Sequence, residues 1–365
     1  MFIFGKKKKT HTIEVLPSGF VIEALPGQTV LQAALEAGLQ YPHDCRRGTC
    51  GQCRTRLLDG EIKEQTDFSY TLSDDELQEG VILSCSALPK SSLVIQVDLA
   101  SSERTPGCTS CEGTVTRYKH LAADIIEIGV KLEKSLPRTG DPCGNCAPYV
   151  AGQFADISVP GISQPRSYSF AAARENEKEG EVSFLVRHVP GGEMSGWFHA
   201  QDRTGEKIQL KGPYGSFYLR EGNGPVLCIA GGSGMSSIKS LLEHACNRQV
   251  ERDVVFLFGA RTREDLYYLD LMQRLKSRWS KKHTFEFIPV LSGETDAGDW
   301  KGLGGLVTDH IRDLELDLPS CQAYLSGPPE MIDAAVEVLV NSGLPGDMIF
   351  FDKYLDSSHV ERIRK

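Results

Sequence analysis

The 365-residue chain has no apolar run approaching the roughly 20 residues that a helix needs to cross a bilayer. No membrane span is therefore expected. A basic surplus is also missing: 40 lysines and arginines stand against 49 aspartates and glutamates, for a net charge of −9. Phosphate backbones demand a basic face, so nucleic acid is excluded as a partner, while steering toward a basic protein surface is allowed. No secretory leader is expected either. Met1 to Gly5 is mostly apolar and precedes Lys6 to Lys9, the reverse of the basic-then-apolar order. The lysines read as a solvated arm, and the expected compartment is the cytoplasm.

What is present is ordinary in bulk. Hydrophobic residues at 40% and charged residues at 24% suit packed cores and, at this length, two or three domains. The 11 cysteines are the exception. In a reducing compartment they point to metal or redox chemistry rather than to a disulfide scaffold.

Three of them crowd into Asp44-Cys45-Arg46-Arg47-Gly48-Thr49-Cys50-Gly51-Gln52-Cys53, and Cys85 follows at a distance. This C-x₄-C-x₂-C spacing with a remote fourth cysteine is the plant-type [2Fe–2S] pattern. Gly48 and Gly51 would let backbone N–H groups approach the bridging sulfides. Zinc, the competing reading, prefers paired C-x-x-C knuckles, and only Cys50 and Cys53 form one here. Around the loop, Thr12–Val15 and Gly19–Ile22 read as a hairpin, Val30–Ala37 as a helix and Ser92–Val97 as a closing strand. That order resembles the β-grasp fold of plant-type ferredoxins.

From Glu112 the texture changes to short alternating strands, at Thr114–Tyr118, Ile125–Val130, Phe154–Val159 and Val182–Val186, which suggests a small antiparallel barrel. Arg166-Ser167-Tyr168-Ser169 then matches the R-x-Y-S motif of the ferredoxin–NADP reductase superfamily. The resemblance implies that Arg166 pairs with flavin phosphate, Tyr168 packs on the flavin, and the Ser169 hydroxyl lies near the edge that accepts hydride; Ser167 stands within the same motif. A planar bidentate donor suits phosphate, and an aromatic face suits isoalloxazine. The element from Val186 through Gly191, Gly192, Met194 and Ser195 resembles the part of the family that holds the FAD pyrophosphate. Glycines opening a helix supply free N–H groups for an anion. Gly212-Pro213-Tyr214-Gly215-Ser216-Phe217 resembles the turn that closes the family's flavin domain.

After Pro225 strands alternate with helices, as in a doubly wound parallel sheet. Helices are expected over Ser237–Ala245, Asp265–Trp279 and Glu330–Val340. Gly231-Gly232-Ser233-Gly234 lies between the first strand and its helix, where dinucleotide phosphates approach, and resembles the superfamily's G-G-[ST]-G turn. Ser326-Gly327-Pro328-Pro329 resembles its C-G-P-P, with Ser326 where many members carry cysteine near the nicotinamide. That departure bears on rate and geometry rather than on cofactor class. Arg261 leaves the second strand, where the adenosine half should lie, and Phe350 to Tyr354 resembles the family's aromatic terminus over the flavin.

The expected architecture is therefore α+β and α/β multidomain. It comprises a β-grasp ferredoxin domain at 10–100, a linker at 101–111, an antiparallel β-barrel FAD domain at 112–222 and a doubly wound nicotinamide domain at 223–365. This order resembles the NADH-dependent reductase components of multicomponent bacterial oxygenases. The resemblance implies electron transfer from NADH through FAD and a [2Fe–2S] cluster to an oxygenase component or its ferredoxin. No catalytic acid or base is required, since Ser169 and Ser326 only support transfer between cofactors. The same architecture also serves a desaturase, a deoxysugar dehydratase or a separate ferredoxin, and a redox sensor without turnover is the alternative of another class.

Cys108, Cys111, Cys143 and Cys146 form two further C-x-x-C pairs outside those motifs. If the first two barrel strands pair antiparallel, the pairs become neighbours, and a structural zinc is the reading. A rubredoxin-like iron, a thiol switch and free cysteines are the alternatives. Cys228, Cys246 and Cys321 sit in apolar surroundings, where inert buried thiols are expected.

Overall fold

The computed structural model describes residues 10–39, 41–43, 46, 48, 51–99, 109–133, 149–293, 300 and 302–354. The chain divides into two compact units, one within Met1–Gly107 and the other over Cys108–Leu355.

In the first unit, β1 (His11–Leu16) and β2 (Phe20–Ala24) form the expected antiparallel hairpin. The helix α1 (Val30–Glu36) starts from a capping box: the Thr29 hydroxyl accepts from Gln32 N–H, and the Gln32 side chain accepts from Thr29 N–H. The chain continues through β3 (Arg54–Asp59), β4 (Ile62–Glu64), α2 (Asp74–Gln78), β5 (Val81–Leu83), β6 (Ala87–Pro89) and β7 (Leu93–Gln96). Strand β7 pairs parallel with β1 and antiparallel with β3, giving the order β2-β1-β7-β3-β5, while β4 and β6 make a separate pair. Ile13, Val15, Leu31, Phe68, Leu83 and Ile95 fill the core between sheet and helix.

The second unit opens with β8 (Thr109–Ala122), β9 (Ile125–Leu132), β10 (Phe154–Ser158), β11 (Arg166–Ser169), β12 (Glu181–Arg187), α3 (Glu193–His199) and β13 (Lys207–Tyr214). The strands make an antiparallel sheet in the order β11-β10-β13-β8-β9-β12. Its two outer strands approach through a single antiparallel bridge between Phe170 and Phe184. Strand β8 begins three residues before the alternation that starts at Glu112.

The chain then alternates through β14 (Val226–Gly231), α4 (Met235–Asn247), β15 (Val254–Ala260), α5 (Leu269–Arg278), β16 (Phe285–Leu291), β17 (Leu303–Gly304), β18 (Gln322–Gly327), α6 (Pro329–Asn341) and β19 (Ile349–Lys353). All its pairings are parallel, in the order β17-β16-β15-β14-β18-β19. The order reverses between β14 and β18, and a crevice opens beyond their carboxyl ends. One expectation fails here: the helix foreseen from Asp265 begins only at Leu269. Tyr267 turns inward, where its hydroxyl donates to Gly232 O at 2.7 Å, and Tyr268 takes a left-handed φ of +60° that interrupts the helix.

The antiparallel core is built around Phe184, fully buried, with the Phe170 ring 5.2 Å away. Phe184→Ala should destabilise the second unit by about 3–5 kcal/mol, through lost burial and the cavity left behind. The check is a denaturant titration following far-UV circular dichroism, and an unchanged midpoint would contradict this placement of the core.

Candidate functional site

The first unit holds its cysteines in a loop shaped by glycine. Gly48 and Gly51 have φ of +78° and +71°, and a Cβ on Gly48 would collide with the Thr66 hydroxyl. The loop is tied down by the Thr71 hydroxyl donating to Gly48 O and by Arg54 Nη1 donating to Gly51 O, each at 2.8 Å. Cys53 Sγ and Cys85 Sγ lie 3.2 Å apart. Two thiolates sharing one tetrahedral metal at about 2.3 Å stand roughly 3.7 Å apart, so this pair is ready to share an iron. The Gly48 N–H also donates to Cys85 Sγ at 3.1 Å, the kind of bond that stabilises sulfur charge. Cys45 and Cys50 lie outside the described residues. The residues that are described fit an iron–sulfur cluster.

In the second unit, β11 carries the R-x-Y-S motif along one edge of the antiparallel sheet. Arg166 bonds only the carbonyls of Gln164 and Pro165, at 3.4 and 3.0 Å, and makes no ion pair with a described carboxylate. Its charge remains available to an anion. The Ser167 hydroxyl crosses to Asp156 at 2.8 Å. The Tyr168 ring stands edge-on to Phe198 with centroids 6.1 Å apart, and burial raises its hydroxyl pKa. Val186 is buried in β12, and Gly191 supplies a φ of +73° before α3. Gly192 caps α3 without a side-chain bond, so N–H groups at that end are unanswered. Met194 and Ser195 are buried, and the Ser195 hydroxyl accepts from Val189 N–H at 3.1 Å, which ties the preceding loop together.

Across the crevice, the two turns foreseen for the nicotinamide meet each other. Gly232 has φ of +54°, and Gly234 lies so close to β18 that a Cβ would collide with the Ser326 carbonyl. A Cβ on Gly327 would come within 2.9 Å of Gly231 O, and one on Gly231 within 2.8 Å of Met331 Sδ. By contrast, the nearest atom to a Cβ on Gly232 is 3.8 Å away. The amino end of α4 has no side-chain cap, and Ser233 lies in the turn leading into it. An uncapped helix approached through open glycine suits a dinucleotide phosphate. Pro328 caps α6, and the fully buried Ser326 accepts from the Ser237 hydroxyl at 2.8 Å.

Tyr354 connects these halves. Its N–H donates to Gly327 O at 2.8 Å, and its hydroxyl donates to Ser169 Oγ at 3.0 Å. Ser169 in turn donates to Asp352 Oδ2 at 3.2 Å. Withdrawal from water, reinforced by the Asp352 charge, pushes the Tyr354 hydroxyl up to about 12, so it remains a donor at neutral pH. Asp352 lies inside the Phe350–Tyr354 segment, where the sequence pattern assigns it no role. Ser236 and Ser237 have no role in the sequence reading, although two serines just after a glycine turn are a usable signal.

Arg261 is 66% exposed, with Asp124 at 3.5 Å and Asp265 at 3.6 Å, and Asp124 also pairs with Arg187 at 2.9 Å. Cys228, Cys246 and Cys321 are buried as foreseen. Burial pushes Cys228 up to about 12 and Cys321 to about 11, which makes them poor nucleophiles.

The zinc reading needs correction. Cys111 is disulfide-bonded here, and a sulfur so bonded has no thiolate charge for zinc. Cys108, Cys143 and Cys146 lie outside the described residues, and among the described residues no cluster of three metal-ligating side chains occurs.

These sites define an oxidoreductase that binds a flavin and a nicotinamide dinucleotide and carries its own iron–sulfur domain. Three domain families match along the chain: the 2Fe-2S iron-sulfur cluster binding domain over residues 13–90, the oxidoreductase FAD-binding domain over 117–218 and the oxidoreductase NAD-binding domain over 228–337. The chain is 39% identical to the xylene/toluene monooxygenase electron transfer component of Pseudomonas putida, over 94% of this chain and 93% of that one. It is 33% identical to the phenol 2-monooxygenase reductase component of Pseudomonas sp. (strain CF600), over 94% of each. The crystal structure of an Amycolatopsis cytochrome P450 reductase superposes with a TM-score of 0.75 at 28% identity, covering 94% of this chain and 98% of that one. The chain belongs to the ferredoxin–NADP reductase superfamily, in the family of oxygenase reductase components that join these three domains. It is an electron-transfer oxidoreductase using NAD(H), FAD and a [2Fe–2S] cluster. Among the described residues no helix is long and apolar enough to cross a membrane.

Gly234→Ala should weaken nicotinamide binding by tenfold or more, because the new Cβ must push the turn off the Ser326 carbonyl. Equilibrium titration with NAD⁺ checks this, and an unchanged affinity would take the turn out of the site.

Proposed function

We propose that this chain takes hydride from NADH and passes the electrons singly to the iron centre of an oxygenase component. The observation that carries the reading is Tyr354, which bonds the nicotinamide-side turn through Gly327 O and the flavin-side strand through Ser169 Oγ. The oxygenase acceptor is supported by the names of the relatives, an electron transfer component of xylene/toluene monooxygenase and a reductase component of phenol 2-monooxygenase. When bound, the flavin converts a two-electron hydride into single electrons that an iron–sulfur cluster carries one at a time.

The chain's own residues then bind and orient. Arg166 meets the flavin phosphate, Tyr168 offers its ring, and Val186, Gly191, Gly192, Met194 and Ser195 form the pyrophosphate cradle. Gly231, Gly232, Ser233 and Gly234 receive the nicotinamide phosphates, while Gly327 and Pro328 line the nicotinamide side. Ser169 and Ser326 present hydroxyls near the hydride path, held by Tyr354 and Ser237 respectively. Cys45, Cys50, Cys53 and Cys85 hold the cluster. Asp124 and Asp265 flank Arg261, which lowers its appetite for a 2′-phosphate and favours NADH.

The domain reading is part of the proposal: a β-grasp domain at 10–100, a barrel at 112–222 and a nicotinamide domain at 223–365. The Phe170–Phe184 bridge between the outer strands supports the barrel, and the mixed sheet around α1 supports the β-grasp. Cytoplasmic residence completes it, as suits a donor of NADH electrons.

Cys53→Ser should abolish NADH-driven cytochrome c reduction while leaving flavin bleaching by NADH largely intact. Normal cytochrome c turnover in that variant would sink the route through the cluster. The kcat/KM for NADH should exceed that for NADPH at least tenfold, about 1.4 kcal/mol of discrimination. A clear NADPH preference that Arg261→Ala removes would reverse the assignment.

A further inference from the structure

One face of α4 is polar and yet buried. Ser236, Lys239, Ser240 and Glu243 repeat at helical spacing and are between 0% and 6% exposed, while Ile238, Leu241, Leu242 and Ala245 fill the core beside them. The buried polar atoms are answered by one short stretch of the flavin-side chain. Ser236 Oγ donates to Ser169 O at 2.8 Å, Lys239 Nζ to Ala171 O at 2.7 Å and Ser240 Oγ to Ala172 O at 2.8 Å. Glu243 Oε2 accepts from Ala173 N–H at 2.9 Å, and Lys239 pairs with Glu243 Oε1 at 2.9 Å. The line continues at the surface, where His244 meets Glu175 at 3.0 Å and Asn247 meets Asn176 at 2.9 Å.

A well-packed apolar face would hold the same elements at least as firmly, because burying an ion pair gains little net stability. What side-chain bonds to individual backbone atoms add is register, since apolar surfaces slide and these bonds do not. The stretch they grip begins at Ser169, on the flavin side. The helix that grips it begins at the Gly231–Gly234 turn, on the nicotinamide side. One rigid helix therefore relates the two sites.

We propose that Lys239 and Glu243, with Ser236 and Ser240, are positioning residues for hydride transfer. They set the separation between the flavin edge at Ser169 and the nicotinamide held at the start of α4, and touch neither. The inference rests on the reductase reading above. Transfer needs reacting atoms roughly 3–3.5 Å apart, and a displacement of about 1 Å costs on the order of 100-fold in rate.

The test is anaerobic stopped-flow reduction of the flavin in the full, FAD-loaded chain over a range of NADH concentrations. In Lys239→Met the limiting rate should fall about tenfold or more, with FAD content and NADH Kd within about twofold of the unsubstituted chain. Glu243→Gln, which keeps an acceptor for Ala173 N–H, should lose less than Glu243→Leu. Should Lys239→Met fail to fold, the Ser236→Ala/Ser240→Ala chain carries the same test with no charge removed. A limiting rate within twofold of the parent, or a fall matched by lost FAD or weaker NADH binding, would overturn the positioning role. Failure of the unsubstituted chain to reduce its flavin with NADH would instead overturn the reductase reading itself.

Discussion

Beyond Ser169 the flavin-side chain leaves its regular pairing, and the carbonyls of Ser169, Ala171 and Ala172 are met by side chains of α4. A buried carbonyl without a partner costs about 1–3 kcal/mol, so the helix is what makes burial of the Ser169 and Ala171 carbonyls acceptable, while the Ala172 carbonyl is also met by the Tyr149 hydroxyl at 2.9 Å. The dependence runs both ways. Lys239 and Glu243 are each buried and charged, and each is answered by a backbone group as well as by the other. The antiparallel and parallel sheets are thus joined by groups that neither could bury alone.

A second constraint acts at the ends of β14 and β18. Reversal of strand order opens the crevice there, and only glycine lets the two turns approach closely enough to form one floor. Gly234 against the Ser326 carbonyl and Gly327 against Gly231 are backbone-to-backbone contacts, which a methyl group would prevent. The floor also fixes Ser326, whose hydroxyl is held by Ser237 from the first turn of α4. Ser326 is therefore a constrained group rather than a loose one.

The iron–sulfur unit follows the same economy on a smaller scale. Gly48 supplies a positive φ, a close approach to Thr66 and an N–H aimed at Cys85 Sγ. Cys53 and Cys85, 32 residues apart in sequence, come within 3.2 Å because β3 and β5 pair antiparallel and bring their cysteine-bearing ends together.

Much of this was legible beforehand. Cysteine spacing, the R-x-Y-S strand and the two glycine turns are local patterns, and local patterns survive in sequence because loop geometry depends on neighbouring residues. The hairpin at β1–β2 and the alternation of strand and helix after Pro225 followed from periodicity for the same reason. The late start of α5 did not, because Tyr267 is drawn inward by Gly232 O, a partner 35 residues away. Nor did the pairing of Arg261 with Asp124, the link from Tyr354 to Ser169, or the buried polar face of α4. In sequence, Ser236, Lys239, Ser240 and Glu243 look like a solvated helix face, since nothing local distinguishes a lysine in water from one bonded to a distant carbonyl. The sequence by itself determined which cofactors the chain is built for; only the tertiary structure decided how their sites are brought together, because those bonds join residues from 67 to 185 positions apart.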